Sequence, residues 1–442
     1  MGESGSFGPA RSGLRGAISA PGDKSISHRA LMFGAVSRGP VRVGGFLRSD
    51  DTLASVAAMR ALGVQVEEIS PTELVVHGAG WEGLSEPADV INVGNAGTLM
   101  RLLPGLVAGR PFLTILTGDA SIRTRPMARI LAPLAEMGAR VWGRGDGTVP
   151  PVGIVGGALR GISHRLLVAS AQVKSCVLLA GLQAEGVTVV MEPVPSRDHT
   201  ERLIAAAGGW VGREDLPGGG VAVTVRRLTE PMLERIDVPG DPSSAAFPLV
   251  AALLVPDSRV TVRAVGLNPT RTGLFTVLHR MNARLTLTEG PAVGGEPQGD
   301  ATAETSELVA TDVEASEVPL LIDELPIWAL AAARAAGTSR LRGAAELRVK
   351  ESDRLAAMAA LLRAVGIEVT EYPDGLDIVG SPGGWHGGRV VTNGDHRLAM
   401  VGAVAGLAGT SEVLVDDIGC MAVSYPAFVA TMETLLSPGG AG

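Results

Sequence analysis

The chain has 442 residues, 46% hydrophobic and only 19% charged, with a net charge of −8. That length exceeds one ordinary core, so two domains are expected, and the composition excludes global disorder. The acidic balance argues against a general nucleic-acid binder, no apolar run is long enough to span a membrane, and two cysteines, Cys176 and Cys420, give neither a disulfide framework nor a metal spacing. A reduced, cytoplasmic, monomeric protein is the simplest expectation.

The opening stretch MGESGSFGPARSG has no apolar signal core and reads as a short flexible tail. Ala20-Pro21-Gly22-Asp23-Lys24-Ser25 then leads into an apolar helix. Val238-Pro239-Gly240-Asp241-Pro242-Ser243-Ser244 leads into a matching one mid-chain. The copies differ where chemistry would differ: Lys24, Ser25, His28 and Arg29 stand against Pro242, Ser243, Ala246 and Phe247. Duplicated halves that diverge in polar residues suggest an active site between two similar lobes. Comparable polar phrases open Ala/Leu-rich helices after Gly94, Ser170, Asp323 and Asp395. The resulting six helices are apolar nearly all round and are expected to be buried. Their polar starts would emerge together, where free N–H groups and helix dipoles attract anions.

Between them lie amphipathic helices stopped by Gly63, Gly138, Gly209, Asn282 and Gly366, types that accept the left-handed cap conformation. Alternating strands follow, as in Val64/Val66, Leu285/Leu287 and Ile367/Val369. The stops recur about every 70–75 residues, too long a period for a solenoid of small repeats. One longer interval holds an acidic, Gly/Thr/Ala-rich stretch over 288–316, read as an insertion or a long hairpin. The fold class is α/β with two similar lobes of three units each. The expected boundaries are 24–237 for one lobe and 1–23 plus 238–442 for the other, with crossings near 20–24 and 237–241.

Basic residues cluster in the polar phrases: Lys24, Arg29, Arg101, Arg125, Lys174, Arg197, Lys350, Arg354 and Arg397. Arginine presents a fork suited to carboxylate and phosphate, lysine a point charge, so the set fits a small substrate with several negative charges. Any one of them could equally be a solvated helix end. Gly94-Asn95-Ala96-Gly97-Thr98 allows close backbone approach to a ligand, but fits neither a P-loop nor a dinucleotide fingerprint. Arg348–Arg354 opens a helix, with Lys350 and Arg354 one turn apart on one face. With Glu351 and Asp353 it is either a capped, salt-bridged first turn or an anion clamp beside a carboxyl acid/base. Asp323 and Glu324 precede a buried helix that one of them could cap. Asp395-His396-Arg397 opens the last buried helix and makes His396 a ligand candidate. Ser196–Glu201 reads as a capping box, more firmly for Thr200 and Glu201 than for Ser196 and Arg197. Ser170 and Gln172 could cap or bind.

Taken in order, Lys24-Ser25-x-Ser27-x-Arg29, Gly94-Asn95-Ala96-Gly97-Thr98-x-x-Arg101, Arg125-Pro126-Met127, Ser170-Ala171-Gln172, Lys350-Glu351-x-Asp353-Arg354 and Asp395-His396-Arg397 resemble the 5-enolpyruvylshikimate-3-phosphate (EPSP) synthase family, in particular its second bacterial subgroup. The resemblance runs from about residue 13 to 436. It implies two lobes, each of three βαβαββ units, and no metal or organic cofactor. It implies attack of the 5-hydroxyl of shikimate 3-phosphate on C2 of phosphoenolpyruvate, then loss of phosphate from a tetrahedral intermediate. By position, Lys24, Gly97, Arg125, Gln172, Glu351, Arg354, His396 and Arg397 would meet phosphoenolpyruvate. Lys24, Ser25, Arg29, Ser170, Gln172, Ser196, Arg197, Asp323 and Lys350 would meet shikimate 3-phosphate. Asp323 would accept a proton, and Glu351 would donate one to the methylene carbon, with Lys24 as rival or partner. Lobe closure would exclude water from the intermediate.

Four positions depart from the enteric and plant pattern of that family: Ala171 for a Ser, Arg197 for a Tyr, Glu346 for an Asn and Val423 for a Lys. A phosphoenolpyruvate contact would then be missing or supplied from elsewhere, Lys174 being one candidate. Gly97, where some resistant members carry Ala, implies ordinary glyphosate inhibition. The related UDP-N-acetylglucosamine enolpyruvyl transferases typically use a loop cysteine, and 117–127 here has none. An RNA-end-processing enzyme of similar repeat architecture would need a basic face. A binding protein without catalysis would not need Asp323, Glu351 and Lys24 together.

Overall fold

The computed structural model describes residues 3–437. Among them the chain divides into two compact units. The inserted unit comprises Gly22–Val238 and the short segment Val293–Glu296. The split unit comprises the described residues up to Pro21, Pro239–Ala292, and those from Pro297 onward.

Six sheets are present among the described residues, five of four strands and one of three. The middle repeat of the inserted unit shows how each is built. Strand Ile91–Asn92 leads to helix Gly97–Val107, strand Leu113–Thr117, helix Ala128–Met137 and strands Arg140–Gly143 and Val149–Val155. The first two strands pair in parallel, which requires a crossover helix between them, and the last two complete the sheet antiparallel. This βαβαββ order repeats, but the terminal repeats are closed by strands from far away in sequence. Arg235–Asp237 closes the first sheet of the inserted unit beside Arg38–Gly44. Arg15–Ser19 pairs with Arg259–Gly266 in the split unit.

The opening segment is therefore not a free tail. Gly5–Phe7 pairs antiparallel with Val413–Val415 and makes the third strand of the three-stranded sheet. The 288–316 stretch takes in most of a hairpin that starts earlier, Arg284–Glu289 against Gln298–Glu304, whose tip is the Val293–Glu296 segment grouped with the inserted unit.

The six apolar helices are Lys24–Val36, Gly97–Val107, Ala171–Gly181, Pro242–Leu254, Leu325–Arg334 and His396–Ala408. All six are buried over most of their length, three in each unit's core. Burying a Leu or Phe side chain contributes about 1.5–3 kcal/mol, so these helices make a large contribution to each unit's stability. The amphipathic helices end in the left-handed conformation at Gly63, Gly138, Asn282 and Gly366. In the fifth case the left-handed residue is Gly208, one position before the expected Gly209.

Candidate active site

In the inserted unit the polar helix starts form two linked groups. Asp23 caps the first buried helix by accepting from Ile26 N–H at 2.9 Å. The next residue, Lys24, places Nζ 3.0 Å from Asp51 Oδ2 on a neighbouring helix. Arg29 lies deeper, donating to Thr200 Oγ1 at 2.7 Å, Ser175 Oγ at 2.8 Å and the Ser25 carbonyl at 2.9 Å. Burial lowers its pKa to about 10, which still leaves it charged at neutral pH. Arg29 thus staples three helices around the Ser25 turn.

The second group surrounds Gly97. A Cβ built on Gly97 would lie 2.6 Å from an Arg125 guanidinium nitrogen, so only glycine lets that cation stand against the helix start. Arg125 donates to Asn95 Oδ1 at 2.7 Å and Ser121 Oγ at 3.2 Å. Gln172 accepts from Arg101 and donates to Thr98 Oγ1 at 3.2 Å, tying the Gly97 and Ala171 helix starts together. Ser170 caps its helix by accepting from Val173 N–H at 3.4 Å. Ser196 is buried, its hydroxyl donated inward to Glu192. Arg197 beside it is half-buried.

The expected capping box at Ser196–Glu201 does not form. The helix His199–Ala206 starts after Asp198, and no side chain caps it. Thr200 instead receives Arg29, and Glu201 lies 2.7 Å from Lys174 Nζ. Tertiary partners outcompeted the local cap. Lys174 is also 2.8 Å from Glu192 and fully buried. Its ammonium is engaged by the two glutamates.

In the split unit, charges converge on Asp323 and Asp395. The helix expected from Arg348 begins only at Arg354, with Asp353 as its cap accepting from Ala356 N–H. Lys350 therefore does not share a helix face with Arg354. The two meet instead at Asp323 Oδ1, at 3.5 Å and 3.3 Å. Arg354, 1% exposed, also lies 2.7 Å from Glu351 and donates Nε to Asp395 at 2.8 Å. Burial alone would lower its pKa, but Asp395, Glu351 and Asp323 together hold it above the ordinary arginine range. Asp395 caps the last buried helix by accepting from Arg397 N–H at 3.0 Å. Arg397 reaches back to the Asp323 carbonyl at 2.8 Å. His396 is buried, with Nδ1 4.0 Å from Asp395 Oδ1. Lys350 and Arg354 thus share the Asp323 carboxylate, Arg397 takes its carbonyl, and Glu351 and Asp395 flank Arg354.

Residues the sequence did not single out support the polar groups of each unit. Asp51 holds Lys24; its only signal was an acidic first turn, Ser49-Asp50-Asp51-Thr52. Buried Arg271 donates to Asp241 at 3.0 Å and Ser243 Oγ at 2.8 Å, and Ser243 donates to Glu324, the neighbour of Asp323 in sequence. Glu324 does not cap its helix through its side chain. Burial pushes the Cys176 thiol up to about 12, which leaves it inert as a nucleophile.

Six sheets of βαβαββ character with carboxylate-flanked Arg and Lys at buried helix starts define the enolpyruvyl transferase class of fold. A solved enolpyruvyl transferase, NikO from Streptomyces tendae, shares it with a TM-score of 0.75 over 98% of both chains, at 19% identity. The model of the EPSP synthase (3-phosphoshikimate 1-carboxyvinyltransferase) family matches residues 9–432. The solved EPSP synthase from Acinetobacter baumannii is 42% identical, with a TM-score of 0.85 over 97% of both chains. The 3-phosphoshikimate 1-carboxyvinyltransferase of Desulforudis audaxviator is 48% identical over 427 residues, 97% of this chain and 98% of its own. That of Citrifermentans bemidjiense is 49% identical, covering 96% of this chain and 97% of its own. The chain belongs to the EPSP synthase family.

Proposed function

We propose that the chain transfers the enolpyruvyl group of phosphoenolpyruvate to the 5-hydroxyl of shikimate 3-phosphate and releases phosphate, acting as a monomer in the cytoplasm. Near-full-length identity of 48% with a 3-phosphoshikimate 1-carboxyvinyltransferase carries this reading. The Asp323 cluster supports the assignment of roles. Asp323, held by Lys350 and Arg354, accepts the proton of the 5-hydroxyl as it adds to C2. Glu351 delivers a proton to the methylene carbon, and Lys24 assists. Arg125, Arg354 and Arg397 hold the carboxylate and phosphate of phosphoenolpyruvate, with the Gly97 backbone, Gln172 and His396 beside them. Ser25, Arg29, Ser170, Arg197 and Lys350 address shikimate 3-phosphate. When the tetrahedral adduct collapses, the C–O bond to phosphate breaks, phosphate takes the electron pair, and the methyl group formed in the addition returns a proton to the Glu351 carboxylate, which restores the double bond.

The test is phosphate release with both substrates present, repeated for Asp323→Ala and Lys24→Met. Release by the wild type that collapses in both variants is expected. Folded wild type that releases nothing with shikimate 3-phosphate would overturn the assignment, and UDP-N-acetylglucosamine would be the next acceptor to try.

A further inference from the structure

The turn that carries Ser196 and Arg197 is gripped from below by a buried ion pair. Lys174 sits in the helix Ala171–Gly181, flanked by Val173, Cys176, Val177 and Leu178, and is 0% exposed. An unpaired ammonium there would be strongly destabilising. Its Nζ is 2.8 Å from Glu192 Oε2, 2.7 Å from Glu201 Oε1 and 3.3 Å from the Ser196 carbonyl oxygen. Burial alone would lower the Lys174 pKa, but Glu201 and Glu192 overcome that and hold it above the ordinary lysine value. Glu192 in turn accepts from the Ser196 hydroxyl and, at 3.4 Å, from the Ser196 N–H. The N–H, carbonyl and hydroxyl of Ser196 therefore all end on the Lys174–Glu192 pair. A phosphate offers only acceptors, and both Ser196 donors are already committed. Arg197, the next residue in the chain, is the one the reading above assigns to shikimate 3-phosphate.

We propose that Lys174, with Glu192 and Glu201, is a positioning clamp that fixes Ser196 and thereby aims Arg197 at shikimate 3-phosphate. Ser196 then serves the clamp and not the phosphate. The inference rests on the reading above that this turn addresses shikimate 3-phosphate. It also predicts separation of the two substrates. Arg125, assigned to phosphoenolpyruvate, is held by Asn95 and Ser121, so the clamp can be broken without touching that hold.

The experiment measures KM for each substrate, kcat and the unfolding midpoint in Lys174→Met, Glu192→Gln, Arg197→Ala and the double variant Lys174→Met/Arg197→Ala. Misaiming a binding group by an ångström can cost a hundredfold, so KM for shikimate 3-phosphate should rise about tenfold or more in each single variant, with KM for phosphoenolpyruvate held within about twofold. The double variant should be within about threefold of Arg197→Ala, because Lys174 acts through Arg197 and the two effects are coupled. If Lys174→Met does not fold, Glu192→Gln, which keeps the side-chain volume, carries the same comparison. A lowered unfolding midpoint with both KM values unchanged would make the triad a core stabiliser and overturn the clamp. Multiplying effects in the double variant, or a rise confined to phosphoenolpyruvate, would do the same. If Arg197→Ala raises KM for shikimate 3-phosphate while Lys174→Met and Glu192→Gln are silent, the clamp fails alone. If Arg197→Ala is itself silent, the reading of the turn fails and takes the clamp with it.

Discussion

Gly97→Ala is the sharpest probe of the phosphoenolpyruvate side. Gly97 is not among the residues with positive φ, so alanine brings no backbone strain. The new methyl would meet an Arg125 guanidinium nitrogen at 2.6 Å, and the guanidinium must retreat by about 0.8 Å to restore ordinary contact. A charge-assisted hydrogen bond of about 2.7–2.9 Å does not survive a displacement of that size. Losing one such bond costs about 1.5–3 kcal/mol, or roughly a ten- to hundredfold rise in KM for phosphoenolpyruvate. Stability and KM for shikimate 3-phosphate should stay near wild type. Coupled phosphate-release kinetics with each substrate varied in turn, plus a thermal melt, read all three quantities. An unchanged KM for phosphoenolpyruvate would refute the argument. So would an equal rise for both substrates, because the effect would then not pass through Arg125.

Glyphosate should inhibit at micromolar concentration, competitively with phosphoenolpyruvate; full activity in its presence would contradict the role given to the Gly97–Arg125 contact. Arg271→Leu leaves Asp241 and Glu324 buried without their cation and should cost about 3–5 kcal/mol. Its unfolding midpoint should recover in part when Asp241→Asn is added, and no recovery would mean that packing, not charge, sets the loss. Burial, with Lys24 and Arg29 nearby, pushes the His28 pKa down to about 3. The unfolded chain therefore binds the extra proton between about pH 6.5 and 3, so His28 makes stability rise with pH through that window. It should account for about 2 kcal/mol of the loss between pH 7 and 5. Urea midpoints for His28→Gln should fall less steeply on acidification than for wild type, and parallel slopes would rule His28 out.

The six core helices were legible because a helix apolar on every face can only be buried, and the left-handed stops were legible because few residue types accept that conformation. What stayed hidden was non-local. Gly5–Phe7 has no apolar pattern of its own and becomes a strand only because Val413–Val415 offers it an edge. Thr200 and Glu201 carry a genuine local capping signal, but Arg29 and Lys174, far off in sequence, claimed their oxygens first. Lys350 and Arg354 do cooperate, though through Asp323 and not through helix periodicity. Lys174 in an Ala/Leu helix could be a ligand or a solvated end from its sequence; that it is buried against Glu192 and Glu201 became visible only from the structure. Arg271 lies in Asn268-Pro269-Thr270-Arg271, a turn with no motif, and nothing in its neighbours announces a buried cation.

The strands that close the terminal repeats also dictate the order in which the chain can be completed during synthesis. The inserted unit's first sheet waits only for Arg235–Asp237, whereas Gly5–Phe7 waits for Val413–Val415. At about 5–20 residues per second, that first strand spends roughly 20 to 80 seconds outside the ribosome before its partner exists. An unpaired strand edge is an invitation to aggregate, and Gly-Ser-Phe is a short, weakly apolar one. The molecule is thus finished at its own beginning, by a segment bland enough to wait.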